Sequence, residues 1–218
     1  RDGYLWLGTH EGGLIRYDPV ADRFQDFSPT LETIQLKNLV INAIAQDLDG
    51  NLWLGTNGGL FHFDLRTQSW SHYLADPDNP NSPSTDIITT LLYDSGNRLW
   101  VGTNNGLNLF DPGTQQFRHF RHDPNDPQSL NGEEIYAISE GSSGILWVGT
   151  DAGLNRFVPE QGTFDYWTSD PEDSTSLSDN QVTSILEDSS GNLWVGTQSG
   201  LNYFNTKSGI FTRYNSSP

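Results

Sequence analysis

The stretch Leu52-Trp53-Leu54-Gly55-Thr56 decides the reading, because the same five positions return four more times with only Leu and Val exchanging at the third. The copies occupy residues 5–9, 99–103, 146–150 and 193–197. Their tryptophans fall at Trp6, Trp53, Trp100, Trp147 and Trp194, 47 residues apart at every step. A fixed period of this length is the signature of a repeat architecture, not of one irregular core. In the period around Trp100, residues 86–93 are β-branched and apolar and run into the turn Asp94-Ser95-Gly96-Asn97. They form strand A of the unit. Residues 98–103 form strand B, Asn104-Asn105-Gly106 a tight turn, 107–110 strand C and, past Asp111-Pro112-Gly113-Thr114, residues 116–120 strand D.

Strands A and B are apolar on both faces while strand D alternates, so the sheet is buried at one edge and wet at the other. That gradient suits a propeller blade, with its inner strands between neighbours and its outermost strand facing water. No eleven-residue window carries the helical spacing without an intervening Gly or Pro, and leucine-rich or ankyrin solenoids use shorter periods. The expected fold is therefore all-β, a β-propeller of four-stranded antiparallel blades. A single array over 1–218 divides into repeats at about 1–38, 39–85, 86–132, 133–179 and 180–218. Four sets of A to D and one set lacking A make about 4.7 blades.

One length change tests the alignment. Thr9 to Leu14 spans one residue more than Thr56 to Leu60 or its later counterparts, and the following loop is one residue shorter. Turns absorb such changes, whereas a one-residue slip inside a strand would turn every side chain to the other face. The five tryptophans are read as structural slabs, each packed on the adjacent blade. The glycine after them removes a side chain where backbone or a ring approaches closely, and the threonine bonds the turn. Asp47, Asp94 and Asp188 read as hairpin chemistry, with Gly141 the exception.

The chain carries 11 basic against 28 acidic residues, a net charge of −17 spread along its length. Such a surface repels phosphate backbones and anionic headgroups, so nucleic acid is excluded as a partner and this segment is not expected to contact a membrane. There is no cysteine, hence no disulfide framework and no thiolate site, which suits an oxidising compartment. With 34% hydrophobic and 18% charged residues the chain can bury a core.

The motif G-N-L-W-V-G-T-x-x-G-L-N-x-F at 191–204, followed by an F-x-x-[YF] strand and the D-P-x-x-x-x-S-L loops at 123–130 and 170–177, resembles the two-component regulator propeller repeat. What the resemblance implies is a seven-bladed ring, often two in tandem. It also implies the periplasmic or extracellular sensor portion of a membrane-anchored histidine kinase, hybrid two-component protein or diguanylate cyclase. Seven blades would need about 110 residues more. The remaining blades and the signalling domains of a parent chain are then the implied partners, and any catalysis lies outside these residues. Blade faces left open at the two ends imply association through them, a homodimer among the outcomes.

Candidate chemistry is sparse. His10, His62, His72, His119 and His122 show no metal-ligand spacing. The groups Asp76, Asp78, Asn81 and Asp123, Asn125, Asp126 lack the glycine and terminal glutamate of a calcium loop, so they read as turn residues. No nucleophile elbow is present; neither catalytic residues nor a cofactor is expected, and the chain is not read as an enzyme.

The strand directions place the B-to-C turns and the long D-to-A loops (28–38, 74–85, 121–132, 168–179) on one face. The ligand-binding candidates there are Asn38, Asp86, Glu133 and Asn180, which lead into strand A, and the turn residues Glu11, Asn57, Asn104, Asp151 and Gln198. Three function classes follow. They are a sensory module for a small-molecule or oligosaccharide ligand, a protein-interaction or dimerisation scaffold, and a glycan-acting enzyme. The last should show paired carboxylates about 5 to 10 Å apart in an axial pocket.

Overall fold

A computed structural model describes residues 3–10, 12–28, 36 and 39–214. It contains nineteen strands and, among the described residues, no α-helix. Blade 1 is the three-stranded sheet β1 (Leu5–Gly8), β2 (Leu14–Asp18) and β3 (Arg23–Asp26). Blade 2 is β4 (Ile41–Gln46), β5 (Leu52–Thr56), β6 (Gly59–Asp64) and β7 (Ser69–Tyr73). Blade 3 is β8 (Ile88–Tyr93), β9 (Leu99–Thr103), β10 (Gly106–Asp111) and β11 (Gln116–Phe120). Blade 4 is β12 (Ile135–Glu140), β13 (Leu146–Thr150), β14 (Leu154–Val158) and β15 (Thr163–Trp167). Blade 5 is β16 (Val182–Glu187), β17 (Leu193–Thr197), β18 (Gly200–Asn205) and β19 (Ile210–Tyr214). Every pairing is antiparallel between strands adjacent in sequence, so each sheet is a meander that needs only short turns.

The repeated motif is strand B, and its position explains its composition. In blades 2, 3 and 4 all five of its residues are buried. Each tryptophan meets the phenylalanine of the next blade's strand C: Trp6 with Phe63 at 6.5 Å between ring centroids, Trp53 with Phe110 at 5.0 Å, Trp100 with Phe157 at 5.2 Å and Trp147 with Phe204 at 5.9 Å. Such tilted and edge-on contacts suit the ring quadrupoles. Among the described rings Trp194 meets only Tyr203 and Tyr214 of its own blade, and it and Trp6 are half-buried where the other three are buried. The glycine that follows has an equally specific cause. A Cβ on Gly55 would sit 2.6 Å from Ile88 Cγ2, one on Gly102 2.8 Å from Ile135 Cγ2 and one on Gly149 2.6 Å from Val182 Cγ1. The first residue of each strand A is thus seated on the glycine of the preceding blade.

Strand A departs from the sequence expectation of burial on both faces. In β8 and β12 one residue is buried and the other five are half-buried, because the first strands of successive blades converge where no further strand covers them. Each strand A also carries a β-bulge after its first residue, at Asn42, Thr89, Tyr136 and Thr183. The extra residue turns its side chain sideways. Asn42 Nδ2 donates to Ile88 O at 2.8 Å and Thr89 Oγ1 to Ile135 O at 2.5 Å, tying strand A of one blade to strand A of the next.

The opposite ends of the blades are joined differently. The A-to-B turn of blade 3 reaches blade 4 through Ser95, whose N–H and hydroxyl donate to the Glu140 carboxylate at 2.7 and 2.6 Å. Ser142 of blade 4 holds Glu187 of blade 5 in the same way, at 2.9 and 2.5 Å. Between blades 2 and 3 the corresponding positions are Leu48 and Tyr93, and this latch does not form.

Candidate functional site

The nine residues proposed from sequence fall on the face that carries the D-to-A loops, except that Glu11 and Asn38 lie outside the described residues. Asp86 Oδ1 accepts the Ala75 N–H at 2.7 Å, and Asn180 Oδ1 accepts that of Ser169 at 2.6 Å. Asn57 Oδ1 accepts the Val40 N–H at 3.0 Å. Asp151 Oδ1 accepts from both Glu133 N at 2.9 Å and Glu134 N at 3.1 Å. Four candidates therefore close the loops on which they sit, satisfying backbone donors that would otherwise be orphaned. The side chains of Glu133, Asn104 and Gln198 are exposed and make no hydrogen bond with the described residues.

The structure does not bring the seven described candidates into one pocket. It arranges them along a rim, where the backbone of each B-to-C turn bonds the segment leading into strand A. Gly59 N donates to Asp86 O and Gly106 N to Glu133 O, both at 2.7 Å, and Asp151 N donates to Glu134 O at 3.1 Å.

Two residues of this face escaped the sequence reading. The Tyr136 hydroxyl donates to Glu134 Oε2 at 2.8 Å, and Asp151 lies beside the pair. Burial first, and the Glu134 carboxylate second, push the Tyr136 phenol up to about 12, so it stays protonated and remains a donor at any physiological pH. Blade 4 thus gathers Glu133, Glu134, Tyr136 and Asp151 at one point of the rim. The signal available in the sequence was position: Tyr136 holds the bulge site that Asn42 and Thr89 use to reach the next blade, and a tyrosine there is too long to repeat their bond.

The D-to-A loops themselves are folded down onto the blade that follows. Phe117 N donates to Asn81 O, Phe164 N to Gln128 O and Phe211 N to Thr175 O, each at 2.8 Å. Buried Asn108, Asn155 and Asn202 of strand C accept from Ser84, Asn131 and Ser178 at 3.0, 2.8 and 3.0 Å. The acidic side chains of these loops serve the same turns: Asp76 Oδ1 accepts from Asp78 N, Asp123 Oδ1 from Asn125 N and Asp126 Oδ1 from Gln128 N. Among the described residues there is no cluster of three or more His, Asp or Glu able to hold a metal ion.

Sheets of four antiparallel strands, stacked face to face through a repeated tryptophan, define a β-propeller. The family model described as "Two component regulator propeller" matches residues 35–58, 81–105, 129–152 and 176–199. The chain is a propeller of the two-component regulator propeller family, and each match runs from the end of a D-to-A loop through strands A and B. No curated protein matches the chain significantly.

Among solved structures, the extracellular domain of BT3049 from B. thetaiotaomicron, described as a hybrid two component system, is 27% identical with a TM-score of 0.77 over 97% of this chain. The chain spans 28% of that domain's length. PorZ, a surface component of the type-IX secretion system of Porphyromonas gingivalis, is 20% identical with a TM-score of 0.70, the match covering 97% of this chain and 32% of PorZ. Virginiamycin B lyase from Staphylococcus aureus is 13% identical with a TM-score of 0.73, covering 98% and 67% respectively. The last two likenesses show the fold alone.

Proposed function

We propose that the chain is a ligand-sensing segment of an extracytoplasmic propeller in a bacterial signal-transduction protein, of the two-component phosphorelay or diguanylate cyclase type. The observation that carries this reading is the similarity along nearly the whole chain to an extracellular domain described as a hybrid two component system. The matching family repeats support it. The segment would lie on the periplasmic or extracellular side of a membrane-anchored parent and pass a change in blade packing to a signalling domain outside this chain.

Its role is binding and not catalysis. On the loop face blade 4 gathers carboxylates and a protonated phenol at one point of the rim, an arrangement suited to hydroxyl groups. Calorimetry with neutral and acidic oligosaccharides tests this, comparing the wild type with Glu133→Ala and Tyr136→Phe. These two substitutions are chosen because, unlike changes at Asp86 or Asn180, they leave the loop caps in place. Binding weakened by about 1 kcal/mol or more is expected from loss of a hydrogen bond to a charged group. Unchanged affinity in both variants would remove the loop face from the reading.

A second reading has its own observation. The outward faces of the first and last blades expose Leu5, Leu7 and Phe24 at one end and Leu186, Leu201 and Tyr214 at the other. Such surfaces favour association with further blades or with a second copy. Light scattering over a concentration series separates the two, since a scaffold self-associates without any solute.

A further inference from the structure

The face opposite the D-to-A loops holds a cavity of about 360 Å³ between blades 2 and 3. It is apolar on its walls and polar on its edges. Trp53 and Phe110 pack at 5.0 Å on one side, the His62 ring lies on Trp53 at 4.3 Å, and Tyr93 closes the other side. Asp47, Asp49, Asn51 and Asn97 supply the polar edge.

The decisive feature is the Trp53 indole N–H. It is buried and finds no acceptor among the described residues. Its counterpart in blade 3, Trp100, donates to Asp94 Oδ2 at 2.7 Å. Asp47 stands where Asp94 does, but its oxygens are taken by Asn51, through N–H at 2.8 Å and the side-chain amide at 3.3 Å, and by His62 at 3.6 Å. A buried donor left unpaired is destabilising, so the site favours a ligand that brings an acceptor to it.

Three positions at this seam differ from those at the seam between blades 3 and 4. Where blades 2 and 5 have Asn51 and Asn192, blade 3 has the longer Arg98, its guanidinium 5.4 Å from the Trp100 ring centroid, and blade 4 has Ile145. Where the seams between blades 3 and 4 and between blades 4 and 5 have the Ser–Glu latch, this one has Leu48 and Tyr93. Where Gly50, Gly144 and Gly191 take a left-handed turn, blade 3 places Asn97 at φ +63. Asn tolerates that conformation better than most residues, and its Oδ1 accepts the Tyr93 hydroxyl at 2.5 Å, holding the aromatic wall in place.

We propose that this cavity is a binding site for a small neutral polyhydroxylated ligand of monosaccharide size, seated against Trp53 and Tyr93. The chemistry selects the class. The unpaired N–H needs an acceptor, the carboxylate of Asp49 needs donors, and the ring faces need an apolar surface. A hydroxylated ring supplies all three, since each hydroxyl both donates and accepts. An organic cation would satisfy the carboxylates and leave the indole orphaned, and an anion would meet two carboxylates on a chain of net charge −17. The volume lies within the range of small-molecule pockets. The proposal stands apart from the loop-face reading, being on the other face and built from other residues.

The test is a titration of the protein with glucose, galactose and xylose, with choline and glucuronate as the cationic and anionic arms. It is followed through the indole N–H resonances in nitrogen-15 correlation spectra. The expected result is a saturable shift of the Trp53 signal with a neutral sugar, slower exchange of that proton with solvent, and a Trp100 signal that does not move. Trp53→Phe, which keeps a ring and removes the donor, should weaken binding by about tenfold. Asn51→Arg, which copies blade 3 and fills the cavity, should abolish it while the other indole signals report an intact fold.

Exchange protection of Trp53 is read in the unmodified protein, so it holds even if Asn51→Arg fails to fold. A Trp53 response to choline alone overturns the ligand class. No response to any probe overturns the site. Sugars that bind with Trp53 silent, and whose binding falls in Glu133→Ala, overturn this proposal and leave the loop-face reading standing.

Discussion

The seam between blades 2 and 3 and the seam between blades 3 and 4 are built from the same backbone and carry the same tryptophan, yet they solve the packing problem differently. At the second, Asp94 Oδ2 receives both Trp100 Nε1 and Arg98 Nε at 2.7 Å, and Ser95 clasps Glu140. Among the described residues no buried side-chain polar atom there lacks a partner. At the first, the aspartate is retained but its partners are changed, the latch is gone, the indole is orphaned and space opens. What the difference teaches is that the repeat specifies the strands and the tryptophan stack, while the short A-to-B turns decide whether a seam is sealed or hollow.

The largest effect that should follow is on stability. Trp100→Ala removes a fully buried slab and the indole bond to Asp94, and should cost about 3–5 kcal/mol. Trp53→Ala empties a site already bordered by a cavity and relieves an unpaired donor, so it should cost less by about 1–2 kcal/mol. Guanidinium unfolding of both variants checks this. Equal losses would mean that the hollow seam is energetically no different from the sealed one.

Asp94→Ala comes next. It orphans the Trp100 indole, frees Arg98 and removes the acceptor for Arg98 N–H within the turn, for an expected cost of about 1–3 kcal/mol. Asp47→Ala should cost less, because the Trp53 indole has nothing to lose. Unfolding midpoints that rank the two in the opposite order would show that His62 and Asn51 depend on Asp47 more than the contacts suggest.

The latch is a smaller matter, since its groups are exposed and screened. Glu140→Ala should lower stability by about 0.5–1 kcal/mol and speed amide exchange at Ser95, whose N–H it holds. Transplanting the latch with Leu48→Ser and Tyr93→Glu should slow exchange at position 48. Unchanged exchange there would say that the blade 2 turn is held away from blade 3 by something other than those two side chains.

The smallest effect concerns the turns between strands C and D, where the two blades are alike. The Thr67 N–H above all holds the Asp64 carboxyl below its usual range, and the Gly113 N–H does the same for Asp111. A carboxyl lowered in the fold contributes stability above the unfolded value near 4 and loses it as pH falls through the folded value. Asp64→Asn and Asp111→Asn should therefore lower stability slightly near pH 7, where the ionised carboxyl contributes, and flatten the acid side of the profile below about pH 4, where that contribution is already lost. Acid titrations followed by tryptophan fluorescence would reveal a seam-specific role if the two variants diverged.

Much of this was legible before any coordinates. The 47-residue recurrence gave the blades, the strand order and the identity of the residues buried between blades, because period and alternation reflect which faces a strand must hide. The one-residue insertion before Leu14 was correctly absorbed by the turn, as β1 and β2 pair Leu5 with Tyr17 in the register that Leu52 and Phe63 keep. The bulge in strand A was not legible, since a bulged residue leaves no mark on composition. Nor was the fate of Asp86, Asn57, Asp151 and Asn180. An Asp or Asn beside a strand reads equally as a free ligand group or as a cap, and only the position of the neighbouring backbone N–H separates the two.

Local sequence thus determined what each 47-residue unit must be, because burying the alternate side chains of Leu-Trp-Val-Gly-Thr admits one kind of sheet and one kind of stacking. What only the tertiary structure decided is how residues of adjacent repeats answer one another across a seam. Leu48 and Tyr93, Asn51 and Arg98, Gly50 and Asn97 each look like ordinary turn variation within a single repeat. Their meaning arises because stacking brings one blade's turn against the next blade's strand, where a shorter side chain becomes a cavity and a missing acceptor becomes an unpaired proton.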